Sequence, residues 1–185
     1  MESYLEIRVL SDPEFSDEML MAALVAKLHR ALGERGKGDI GISFPHVNLK
    51  LGECLRLHGT AAALQELEAK GWRKGLNDYV ACQTIAPVPQ NALWRTVSRV
   101  QPKGSQERLL RRSVRKGWLT QLEADRRLSD ALDQQMLSLP FLNMKSLSNK
   151  NSFRLFIQHG EVVDQPVAGT FSTYGLSPVA TIPWF

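Results

Sequence analysis

Residues 106–116 read Gln-Glu-Arg-Leu-Leu-Arg-Arg-Ser-Val-Arg-Lys. At about 100° per residue, Arg108, Arg111, Arg112, Arg115 and Lys116 fall on one continuous stripe of a helix, with Leu109, Leu110 and Val114 mostly on the other side. Such a helix packs on the protein with one face and presents cations with the other. Five like charges on one stripe repel and cost helix stability; a row of phosphates would relieve that cost. A merely solvated helix would interleave acids, and only Glu107 is present. Upstream, Arg99-Val100-Gln101 sets two side chains on the same side of an extended segment. Arginine pairs bidentately with guanine and glutamine with adenine, so the pair suits two adjacent purines. For proton transfer near neutral pH the natural group is histidine, of which there are four. His58 alternates outward on a strand, His159 falls in a turn and His46 follows a proline in a loop. His29 lies near the end of the first helix beside Val25 and Leu32, where by itself it reads more readily as a local structural group than as a base. There is no His-Glu-x-x-His, no paired-cysteine motif and no aspartate cluster. Neither a Gly-x-x-x-x-Gly-Lys loop nor a Gly-x-Ser-x-Gly elbow occurs. The sequence thus predicts no metal site and no cofactor.

These groups need elements to position them. Alternation over Tyr4–Leu10, with Leu5, Ile7 and Val9 facing one way, predicts a strand. Ser16 caps a helix over 17–32 that carries Leu20, Leu24, Leu28 and Leu32, ended by Gly33 and Gly36. Ile40–Phe44 predicts a second strand, and Leu55 and Leu57 with outward Arg56 and His58 a third. Thr60 caps a helix over 61–70 ended by Gly71, and Tyr79–Ile85 predicts a fourth strand. The order is βαββαβ, the ferredoxin-like pattern, with the sheet face away from the helices left free for a ligand or partner. Beyond residue 94 the texture changes. An extended segment 94–100 leads into the basic helix 106–116, which Gly117 terminates. Thr120-x-x-Glu123 is a capping box for a helix running to about Leu137. Strands follow at 141–147 and 152–158. The expected fold class is α+β: a ferredoxin-like domain over 1–94 carrying His29, then a smaller α+β domain over 95–185 with the arginine-rich helix.

Composition agrees. The 185 residues are 43% hydrophobic and 23% charged, enough apolar content for a globular core. No apolar run reaches the length of a membrane span, and the acidic, alternating start is unlike a signal peptide. Cys54 and Cys82 make no disulfide framework, so a cytoplasmic setting is expected. The net charge of +4 is unevenly placed: residues 95–127 hold ten basic and three acidic side chains, while 1–94 hold ten and twelve. A central basic block points to a polyanion, most often a nucleic acid.

Several segments together resemble one family. They are His29 on the first helix, Val97-Ser98-Arg99-Val100-Gln101, Glu107 to Arg112, Ser146-Leu147-Ser148, Phe153-Arg154-Leu155-Phe156-Ile157, Tyr174-Gly175-Leu176-Ser177 and Pro183-Trp184-Phe185. Each is weak alone; their order and spacing over the whole chain are similar to the repeat-cleaving endoribonucleases of type I-F CRISPR systems, of the RAMP superfamily. The resemblance implies metal-independent cleavage of CRISPR precursor RNA at the base of the repeat stem-loop. It also implies retention of the mature crRNA and assembly with other subunits of the type I-F surveillance complex, with no membrane involved. It implies His29 as the base that deprotonates the 2′-hydroxyl, Ser146 orienting that hydroxyl, Tyr174 positioning His29, and Ser148 as a supporting contact. Arg99 and Gln101 are implied as purine readers, Arg111, Arg112, Arg115 and Lys116 (with Arg108) as the arginine-rich helix, and Phe153 as a stacking aromatic. Lys116 departs from the family's usual arginine, keeping the charge and losing the bidentate fork. A non-catalytic RNA-hairpin-binding subunit and a basic protein-interaction module are the other classes consistent with the charge map.

Overall fold

The computed structural model describes the chain apart from residues 102–103, 128–138 and 146–151, and describes no side chain within 104–109. Strand β1 (Ser3–Val9) buries Leu5, Ile7 and Val9 in the expected alternation. Ser16 caps α1 (Asp17–Arg35), its hydroxyl accepting from the Met19 N–H, and Asp17 and Glu18 complement the positive end of the helix dipole. Helix α1 runs past Leu32 and takes Gly33 within it. Gly36, at φ 63°, ends it, because there and not at Gly33 the backbone turns left-handed.

Strands β2 (Gly41–Ser43) and β3 (Cys54–Gly59) follow, then α2 (Ala61–Ala69), capped by the Thr60 hydroxyl. The expected fourth strand is divided: a 3-10 turn (Asn77–Tyr79) precedes β4 (Val80–Cys82) and β5 (Ala86–Pro87), both antiparallel to β1. The sheet order β2-β3-β1-β4, with antiparallel pairs, is ferredoxin-like. A second sheet has the order β7-β8-β6-β9. It is built from β6 (Leu93–Val100), β7 (Phe141–Lys145), β8 (Ser152–His159) and β9 (Ser177–Trp184).

By compactness the chain divides into Met1–Arg99 with Pro140–Phe185, and Val100–Leu139. The expected boundary at residue 94 falls inside β6, and compactness keeps the two sheets in one unit, since α1 packs on β7 and β2 on β9. The smaller unit holds α3 (Gly104–Arg115) and a helix described over 121–127. The capping box is formed: the Thr120 N–H donates to Glu123 Oε2 at 2.9 Å and the Glu123 N–H to Thr120 Oγ1 at 3.2 Å. The expected continuation to Leu137 lies outside the described residues.

The largest departure from expectation is β3, all six residues of which are buried. In register with β1, Leu55 and Leu57 oppose Ile7 and Leu5, while Arg56 and His58 oppose Glu6 and Tyr4 on the other face. That face is not free: the C-terminal strand covers it. A Cβ on Gly41 would come 2.5 Å from the Ile182 side chain and 2.7 Å from the Phe171 ring. Arg56 donates to Glu6 Oε1 at 2.6 and 3.0 Å and to the Phe185 main-chain oxygen at 2.8 Å, and stands 3.9 Å from the Phe185 ring centroid. His58 lies 2.8 Å from Ser43 through Nε2. Burial, and then the Arg56 charge, push its pKa down to about 3, so the ring is neutral. His159 ends β8 instead of lying in a turn, its ring edge-on to Phe44 and Trp184; burial and then Arg95 lower its pKa to about 4. Alternation reports one face in water, and here a second layer occupies that face.

Candidate functional site

Helix α1 buries a stripe from Leu20 through Leu32. His29 stands at the edge of that stripe, four residues after Val25 and three before Leu32, so it is half-buried. The end of the helix is tied down. Arg35 forks onto Asp39 at 2.7 and 3.2 Å and reaches Glu66 at 3.0 Å, and Lys37 meets the same Glu66 oxygen at 2.8 Å. The two cations hold the Glu66 pKa down to about 2. The helix carrying His29 is thereby fixed to α2.

Tyr174 arrives from the other end of the chain on a tight turn. The Gly175 N–H donates to the Ser172 main-chain oxygen at 2.8 Å, and Ser172 Oγ accepts from the N–H groups of Tyr174 (3.3 Å) and Leu176 (3.4 Å). Gly175, at φ 70°, presses so closely on the edge strand β2 that a Cβ would meet the Ile42 side chain at 2.7 Å, and its carbonyl accepts from the Ile42 N–H at 2.9 Å. The turn sets the phenol ring flat on the imidazole of His29: centroids 3.9 Å apart, planes 4° from parallel. His29 Nδ1 is buried with no hydrogen-bond partner among the described residues. A buried polar atom left unpaired costs about 1–3 kcal/mol. Two residues 145 positions apart in sequence thus converge. The other histidines differ in setting: His58, in the interior, and half-buried His159 each also have a buried ring nitrogen without a hydrogen-bond partner among the described residues but are held neutral by burial, and exposed His46 pairs with Glu53 at 2.7 Å. Ser146 and Ser148 lie outside the described residues. Sequence reasoning does not single out Ser172; its signal is a serine two residues before the tyrosine, the spacing of a hydroxyl-capped turn.

Arg99 lies on β6 and is exposed; its guanidinium stands 5.7 Å from the ring centroid of Phe153 on β8, which is half-buried against the core. One expected purine reader and the expected stacking aromatic are therefore neighbours. Gln101 is exposed just beyond β6. In the smaller unit, Arg111, Arg112, Arg115 and Lys116 are exposed while Leu110, Ser113 and Val114 are half-buried, the amphipathic division that the sequence predicts. The side chain of Arg108 lies outside the described residues. Among the described residues, no group of three His, Cys, Asp or Glu side chains could hold a metal ion.

Residues 4–185 match the family model described as CRISPR-associated protein (Cas_Csy4). Two curated proteins named CRISPR-associated endonuclease Cas6/Csy4 align over the full length of both chains. The one from Escherichia coli (strain UTI89 / UPEC) is 63% identical over 185 residues, and the one from Pseudomonas aeruginosa (strain UCBPP-PA14) is 43% identical over 188. A solved structure of the CRISPR endoribonuclease Cse3 bound to 19 nt RNA is far more distant, at 14% identity and a TM-score of 0.39. That match covers 99% of this chain and 100% of that one.

Proposed function

The chain belongs to the Csy4 family of CRISPR-associated proteins, and from that premise we propose that it cleaves CRISPR precursor RNA at the base of each repeat stem-loop. It is a CRISPR-associated endonuclease that acts on RNA. The imidazole of His29 takes the proton of the 2′-hydroxyl upstream of the cut. The freed oxygen attacks the adjacent phosphorus, the bond from phosphorus to the 5′-oxygen breaks, and that oxygen takes a proton from solvent water as it leaves. The products are a 2′,3′-cyclic phosphate and a 5′-hydroxyl. Because the nucleophile belongs to the substrate, the protein supplies position and a base. Tyr174 holds the imidazole, and Ser146, with Ser148, orients the hydroxyl. Arg99 and Gln101 read purines at the stem's base, with Phe153 stacked on its last pair. Arg108, Arg111, Arg112, Arg115 and Lys116 hold phosphates along the stem. The product crRNA stays bound, and in the cytoplasm the complex joins the other subunits of a type I-F surveillance assembly.

The observation that carries this reading is the His29–Tyr174 stack, a histidine with a buried, unpaired ring nitrogen held flat by an aromatic from the far end of the chain. Single-turnover cleavage of a repeat hairpin, measured beside equilibrium binding, tests it. His29→Ala abolishes cleavage and leaves affinity within about tenfold, because a general base acts in the transition state. Cleavage persists in excess EDTA and stops when the nucleotide before the cut is 2′-deoxy. Unimpaired cleavage by His29→Ala refutes the base assignment; cutting of the deoxy substrate refutes 2′-hydroxyl attack.

A further inference from the structure

Helix α3 ends in a Schellman motif. Gly117, at φ 71°, donates from its N–H to the Val114 oxygen, and the Trp118 N–H donates to the Ser113 oxygen, both at 2.9 Å. The motif fixes the Trp118 backbone to the last turn of the helix. Its usual apolar clasp would join the residue at the Trp118 position to one at 113 or 112, but these are Ser113 and Arg112. The indole is accordingly 71% exposed, and the Lys116 ammonium stands 4.4 Å from its ring centroid. Lys116 is the position where the family resemblance leads one to expect arginine. A compact ammonium rests on an indole without covering it as a stacked planar guanidinium would. An anchored, exposed indole beside exposed Arg111, Arg112 and Arg115 has the composition of a single-strand nucleic-acid site, in which cations follow the backbone and an aromatic face takes a base.

We propose that Trp118 is a stacking platform for one unpaired base in the apical loop of the RNA hairpin, with Lys116 beside the adjoining phosphate; this rests on the hairpin-binding reading above. The base is unpaired because a paired base has both faces covered by its neighbours in the stem. The loop is favoured by chain order. Within the smaller unit Gln101 precedes α3 and Trp118 follows it, and a helix of twelve residues spans about 18 Å. With Gln101 on the stem's base, the far end of α3 serves the opposite end of the hairpin.

The test is equilibrium binding of the intact protein to a hairpin made uncleavable by a 2′-deoxy nucleotide before the cut. Trp118→Ala weakens binding about fivefold or more, and Trp118→Phe keeps most of the affinity. Abasic nucleotides are then placed one at a time in the loop and in both flanks. At one loop position the unsubstituted protein loses the same factor, and Trp118→Ala loses nothing further there. Trp118→Ala keeps the original salt dependence, whereas Arg115→Ala flattens it. Unchanged affinity in Trp118→Ala overturns the proposal, as does a Trp118 penalty that survives every abasic substitution. Cancellation at a flank position overturns the placement in the loop. Failure of the unsubstituted protein to bind the hairpin overturns the RNA reading itself, and the platform with it.

Discussion

Exchanging Tyr174 for alanine removes the ring that lies 3.9 Å from the imidazole of His29 and 4° from parallel to it. A stacked aromatic pair is worth about 0.5–1.5 kcal/mol beyond the area it buries. Where that energy holds the imidazole in its working orientation, its loss slows the cleavage step by about two- to thirteenfold. The turn itself survives, because Ser172 Oγ accepts from main-chain N–H groups at 174 and 176 whatever the side chain between them. Tyr174→Phe keeps the ring and is expected to be milder than Tyr174→Ala. The assay is single-turnover cleavage with enzyme in excess, with affinity measured separately on 2′-deoxy RNA. Both variants bind as the unsubstituted protein does. Cleavage by Tyr174→Ala at the full rate refutes the stack as a positioning device. Inactivity of Tyr174→Phe equal to that of His29→Ala moves the work from the ring to the hydroxyl.

Three further outcomes are expected. Arg112→Ala and Arg115→Ala flatten the salt dependence of hairpin binding by up to about one unit for each phosphate left without its cation, while Arg99→Ala and Gln101→Ala relax discrimination at single purines by about 1–3 kcal/mol; equal losses for every RNA would contradict the division between clamps and readers. Arg56→Met strands the Glu6 carboxylate, itself only 16% exposed, without its ion-pair partner. Breaking a buried pair costs about 3–5 kcal/mol, read as a fall in the urea midpoint that an unchanged midpoint would disprove. His58, with its pKa lowered to about 3 in the fold, stays neutral where the unfolded chain takes up a proton. Stability therefore falls as pH drops below the unfolded value near 6.5, by about 2 kcal/mol at pH 5 from this group. Urea unfolding at pH 7 and pH 5 should show a smaller difference in His58→Gln, and an equal one would remove His58 as the cause.

The elements legible in the sequence are those whose signals are local. Ser16 and Thr60 cap the helices predicted to follow them, and Thr120 with Glu123 closes its box, because a capping hydroxyl acts over three residues. The alternation of β1 is legible because Leu5, Ile7 and Val9 meet helices on one side. In β3 the same alternation misleads, as Arg56 and His58 have their partners far along the chain, in Glu6, Ser43 and Phe185. The division of Tyr79–Ile85 into two short strands carries no periodic signal either. At the candidate site, the residue types came from the residues and their roles from the resemblance. That His29 and Tyr174 share a point in space is a tertiary fact that spacing does not encode.

The departure at β3 has a physical origin that also builds the site. An antiparallel sheet with helices on one side leaves the other to be wetted or covered. Here β9 covers it, and the polar side chains of that face become interior: Arg56 neutralised by Glu6, His58 neutral against Ser43. The returning chain meets the sheet at its open edge, β2. There the Ile42 N–H, unused within the sheet, takes the carbonyl of Gly175. Tyr174 is the residue before that contact, so the hydrogen bond that docks the returning chain also fixes the height at which its ring meets α1. Gly41, which lets Ile182 and Phe171 approach the sheet, and Gly175, which lets the turn lie against Ile42, serve the same geometry. The placing of the Tyr174 ring on His29 is therefore inseparable from closing the core. A side chain that forced β9 away from Gly41 would be felt at His29, although neither Gly41 nor β9 takes part in the ring stack.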